Sequence, residues 1–164
     1  MTTKTKRARG YGEGDILALP LPDGGYAIGI IARASRQAGK GVLLGYFFGS
    51  RRASIPSIDQ VASATANDAV HVCRFGDLGL IDGTWSIVGR LPEWRKEAWP
   101  NPAFVREQLV SGRLLRVVYA DDDPSRVVSE TEADAHAVAS LPRDGLLGAQ
   151  AVASVLGQKL PKLH

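Results

Sequence analysis

GDILALPLPDGGYAIGIIARA, residues 14–34, is the stretch whose reading decides the fold. Asp15 to Leu21 is a strand signal. Pro22-Asp23-Gly24-Gly25 then supplies the fixed and positive φ angles of a tight turn. Tyr26 to Ala34 resumes with alternating and β-branched residues, so 14–34 reads as a β-hairpin. Gly29 interrupts the second strand, which marks a bulge or a close backbone approach.

The rest of the chain extends that hairpin. A polar loop with Ser35, Gln37, Gly39 and Lys40 leads to a third strand over 41–48, completing an antiparallel meander that opens a small sheet or a partly closed barrel. Ser57 is placed to cap a short helix over 58–64. Strands are expected over 70–75 and 84–88, joined by the tight connection Gly76 to Gly83. Asn101 followed by Pro102 predicts a helix running to about Val110 and stopping at Gly112. Leu114–Tyr119 and Arg126–Ser129 form a second hairpin across Asp121-Asp122-Asp123-Pro124. Apolar residues at 149, 152, 153, 156 and 160 predict a C-terminal helix that Pro161 ends. The fold class expected is mainly β (α+β), a meander or partly closed small barrel with short helices and one at the C-terminus.

Between the two hairpins lies WSIVGRLPEWRKEAWPNPAFVR, residues 85–106, with all three tryptophans and three of the nine prolines. Prolines fix φ and remove donors, so this is a rigid aromatic segment. Trp85 opens an apolar strand and belongs in the core. Trp94 and Trp99 sit among Glu93, Arg95, Lys96 and Glu97, and at least one is expected to be partly exposed.

The 164 residues read as one domain over 13–164, preceded by a disordered basic arm over 1–12. The net charge of +3 is concentrated in Lys4, Lys6, Arg7 and Arg9, and the remainder is close to neutral, which argues against a nucleic-acid partner. Cys73 is the only cysteine, so no intramolecular disulfide forms and a reducing cytoplasm is the expected compartment. No stretch approaches the roughly 18 apolar residues of a membrane span, and no apolar run follows the basic start, so no secretory signal is expected.

Catalytic chemistry finds little support. His71 and Cys73 share one strand face but do not by themselves make a metal site, and no activating helix N-terminus follows Cys73. No phosphate-cradling GK[ST] loop and no nucleophile elbow is present. No catalytic residue, metal or cofactor is assigned. The strongest charge feature outside the arm is Asp121-Asp122-Asp123, a turn that also suits an acidic rim facing a basic partner.

Three pieces in order resemble the Immunity protein 26 family of bacterial polymorphic toxin systems. They are Gly14-Asp15-Ile-Leu-Ala-Leu-Pro-Leu-Pro-Asp-Gly-Gly-Tyr-Ala-Ile-Gly29, Trp85-Ser-Ile-Val-Gly-Arg-Leu-Pro-Glu-Trp-Arg95 and Leu141-Pro-Arg-Asp-Gly-Leu-Leu-Gly148. The resemblance implies a mostly β protein that binds and neutralises a cognate toxin. The grouping is also named for a small phosphotriesterase, but this chain lacks the ligand cluster that such hydrolysis needs. A hydrolase of phosphotriesters and a barrel-like nucleic-acid module therefore stand as alternatives to the toxin binder. Trp94, Arg95 and Trp99 are the expected contacts, because Trp and Arg dominate binding hot spots. Asp121, Asp122 and Asp123 are expected at the rim.

Overall fold

The computed structural model describes residues 10–35 and 41–163. The basic residues Lys4 to Arg9, and the loop from Arg36 to Lys40, lie outside them. The packed chain reaches back to Tyr11, at the end of the expected arm: its ring is buried and its hydroxyl donates to Asp77 at 2.7 Å.

Strands β1 (Asp15–Pro20), β2 (Tyr26–Ala34), β3 (Val42–Arg52) and β4 (Ala69–Gly76) form the expected meander and extend it by one strand. β5 (Ser86–Arg90) pairs antiparallel with β1, and the two-residue β9 (Leu146–Leu147) pairs parallel with β4. The resulting sheet has six strands in the order β5-β1-β2-β3-β4-β9 and does not close. A second sheet has the order β6-β7-β8, from β6 (Phe104–Glu107), β7 (Leu114–Ala120) and β8 (Asp123–Glu132). Among the described residues the helices are α1 (Ile58–Val61), α2 (Leu78–Ile81), α3 (Ala135–Ser140) and α4 (Ala149–Lys159).

The large sheet is covered on both sides, which is why β2 is buried along nearly its whole length instead of alternating. Leu17, Leu19, Ile31, Phe47 and Phe75 face Trp85 and the α4 residues Val152, Ala153 and Leu156. Ile16, Ile28, Ile30, Leu44 and Tyr46 face the other way, toward Trp99, Phe104, Val117 and Tyr119. Gly29 is a close approach, as expected: it lies opposite Phe47, and a Cβ there would stand 2.6 Å from that ring.

A buried polar knot ties the two sheets. Arg74 of β4 meets Asp144 at 3.1 Å, and the Tyr119 hydroxyl of β7 donates to both Asp144 oxygens at 2.8 Å. The Arg74 guanidinium carbon also lies 3.9 Å from the centre of the Tyr119 ring.

One expected element differs, and one helix was not expected. The helix predicted from Asn101 is instead an irregular segment over 101–103 followed by β6, with Phe104 opposite Val117. Phe104 and Val105 are both buried, one against the second core cluster, so pairing with β7 overrides local capping signals. The Asn101 amide instead donates to the Tyr119 carbonyl at 3.0 Å. Gly112, read as a helix stop, holds φ +69° in the β6–β7 turn. Helix α3 was not anticipated, although Asp134 caps it by accepting from the Ala137 amide at 2.7 Å.

Candidate functional site

After β5 the chain turns sharply. The Leu91 amide donates to the Gly14 carbonyl at 2.8 Å, and Glu93 takes a left-handed φ of +54°, uncommon for a residue with a side chain. That turn lays Trp94 over Gly14, where any Cβ would stand 2.9 Å from the indole Cγ. A 3-10 turn at Lys96–Ala98 then brings Trp99 back under Trp94. The two rings stack with centroids 6.2 Å apart and planes 24° from parallel.

The tryptophans divide their roles. Trp85 is buried, as expected. Trp94 is half-buried and Arg95 exposed. Trp99, expected as a contact, is only 2% exposed and meets Tyr46 and Phe48 edge-on at 5.3 and 5.9 Å. It is a core residue that supports Trp94 from beneath, because an indole of this size is favoured where it can fill the space between β3 and the loop.

The acidic turn is likewise split. Asp123 is buried, not at a rim: its Oδ1 accepts from the Ser125 amide at 2.9 Å and from the Ser125 hydroxyl at 2.5 Å. Asp122 is exposed and meets Arg126 at 3.4 Å. Asp121 is exposed too, but both of its oxygens are engaged. Arg33 Nε donates to Oδ1 at 3.0 Å and Lys96 Nζ lies 3.2 Å from Oδ2. Burial alone would raise the Asp121 pKa, yet hydrogen bonds from Arg33 and Lys96 prevail and hold it below the ordinary value.

Arg33 is the residue the sequence reading missed. It sits in the apolar run of β2 with its side chain 4% exposed. One Nη1 donates to the Ala32 carbonyl at 2.7 Å and to the Trp99 carbonyl at 2.9 Å, while Nε holds Asp121. A lone arginine inside IIARA was the available signal, since a buried charge is retained only with partners. Through it the tryptophan loop and the acidic turn, 22 residues apart between Trp99 and Asp121, become neighbours. The Tyr46 hydroxyl adds a bond to the Pro100 carbonyl.

The other candidates do not assemble. Burial pushes the Cys73 thiol up to about 12, far from the thiolate that attacks. Burial and then Lys159 lower His71 to about 4, and Lys159 Nζ stands 3.0 Å from its Nδ1. Among the described residues no group of three or more His, Cys, Asp and Glu is placed to hold a metal ion. An open cleft of about 600 Å³ beside the β1–β2 turn is lined by residues that include Asp23, Ser154, Gln158 and Lys162, and the Asp23 carboxylate there is already held by Arg51 at 2.5 Å.

The fold is a β-rich domain in which the partly exposed Trp94 is braced from beneath by the buried Trp99. Residues 12–114 match the profile of the Immunity protein 26 family, and the chain belongs to that family. No curated protein and no solved structure matches it. Among the described residues no helix is long and apolar enough to cross a membrane.

Proposed function

We propose that this protein binds and neutralises a cognate bacterial toxin in the cytoplasm by protein–protein contact, without chemistry of its own, and that residues 13–164 act as one unit. Family membership supports an immunity role. The observation that carries the binding reading is the partly exposed Trp94 beside the exposed Arg95, on a loop fixed from beneath by Trp99. A preorganised Trp–Arg pair loses little conformational freedom on binding and is the pairing most enriched among hot spots. Asp122, exposed and next in sequence to the Asp121 that holds Lys96, is assigned to the rim, where charge governs association rate more than residence time.

The test is protection of cells that express a toxin domain, taken from the neighbouring gene where that gene encodes a secreted protein with a C-terminal toxin. Wild-type protein should restore growth and form a complex with the purified domain. Replacing Trp94 and Arg95 together by alanine should weaken that complex by about 2 kcal/mol or more, with the circular dichroism spectrum unchanged. A double variant that stays folded and protects fully removes this loop from the interface.

A further inference from the structure

Asp121 looks from the sequence like a charge offered to a partner, but its surroundings contradict that role. One carboxylate oxygen is taken by Arg33 at 3.0 Å and the other by Lys96 at 3.2 Å. A basic surface approaching this turn would therefore meet one carboxylate already shared between two cations. The geometry suits a different task, which rests on the toxin-binding reading above. We propose that Asp121 is a positioning residue: with Arg33 and Lys96 it clamps the tryptophan loop in the shape in which Trp94 and Arg95 meet the toxin.

The argument runs through Arg33. A guanidinium buried to this degree must have its donors satisfied, and removing one partner leaves an uncompensated charge. Its partners are distributed over three pieces of chain: Ala32 on its own strand, Trp99 in the loop, and Asp121 in the β7–β8 turn. All three are met only when the loop and the turn are docked together. Lys96 closes the circuit from the loop side, because it belongs to the 3-10 turn between Trp94 and Trp99. The left-handed Glu93 fits this picture, since an unfavourable backbone conformation persists where its surroundings over-determine it. Losing the carboxylate should loosen the loop while leaving the two cores intact, for the Asp121 side chain is itself 64% exposed.

Asp121→Asn removes the charge from both arms of the clamp while keeping an oxygen that can accept from Arg33 Nε, and Lys96→Gln removes one arm without touching the partners of Arg33. In the free protein, amide hydrogen exchange at residues 94–99 should quicken at least about tenfold in Asp121→Asn, while β2 and β3 stay protected. Binding to the same toxin domain should weaken about tenfold, chiefly through faster dissociation. In a Trp94→Ala background the same substitution should have little further effect, since positioning matters only while there is a ring to position. Loop exchange unchanged in both variants overturns the clamp. So does an effect confined to a slower, salt-dependent association that adds in full to Trp94→Ala, the signature of a direct contact. A wild-type protein that forms no complex defeats the toxin reading and the clamp's purpose with it. A complex that Asp121→Asn leaves untouched defeats the clamp alone.

Discussion

Trp99→Ala should cost the fold far more than Trp94→Ala, although the two indoles stack on each other. Trp99 is 2% exposed and its ring contacts Tyr46, Phe48 and Trp94. A buried tryptophan removes about 150–250 Å² from water, and at about 25 cal/mol per Å² that is roughly 4–6 kcal/mol. Alanine retains a little of this area, while the cavity left behind adds to the loss, so about 4 kcal/mol is expected. For a chain of this length each kcal/mol moves Tm by about 2–4 °C, which makes the predicted drop roughly 10 °C. Trp94 is half-buried and stacks on one ring, so its removal should cost about 1–2 kcal/mol and only a few degrees. Differential scanning calorimetry of the two variants decides the matter. Equal losses, or a Trp99→Ala protein that melts within about 3 °C of wild type, would refute the division into one supporting and one presented tryptophan.

Three further outcomes follow from the packing. Arg74→Met leaves the buried Asp144 with the Tyr119 hydroxyl and, at 3.8 Å, Arg106, and should lower stability by about 2–4 kcal/mol in denaturant titrations; changing Asp144 to Leu as well should recover much of it. Gly29→Ala forces a methyl group to 2.6 Å from the Phe47 ring and should cost about 1–3 kcal/mol by the same titration. For His71 the folded pKa lies below the ordinary 6.5, at about 4. The unfolded chain therefore binds a proton first on acidification. Stability from this group is complete above about 6.5 and falls as the pH drops toward 4. His71→Gln should flatten that part of the pH–stability curve.

The meander was legible because its information is local. Pro22 to Gly25 dictates a tight turn, and Gly24 and Gly25 do adopt positive φ, at 107° and 76°. The same local reasoning failed at Asn101–Pro102, where a good helix start lies in a segment that β7 claims for pairing. That partner begins only seven residues beyond Glu107, but Gly112 in the intervening turn reads equally well as a helix stop. Sequence neighbours likewise made Trp94 and Trp99 equal candidates for exposure, without saying which, and made Asp121, Asp122 and Asp123 one patch. Burial separates the members of each set, because it depends on what the chain folds against. Arg33 was overlooked for the opposite reason: its neighbours are apolar and all three of its partners are distant in sequence or carried by the backbone.

The central claim, that the braced tryptophan loop is the surface that meets the toxin, is tested most directly by hydrogen-exchange footprinting of the complex with that toxin domain. Binding should slow exchange over residues 91–100 and in the turn at 120–123, leaving α4 and the β6–β7 turn as in the free protein. Protection that falls instead on the β6–β7 turn, on the outer edge of β8 or on α4, with residues 91–100 exchanging as before, would contradict it.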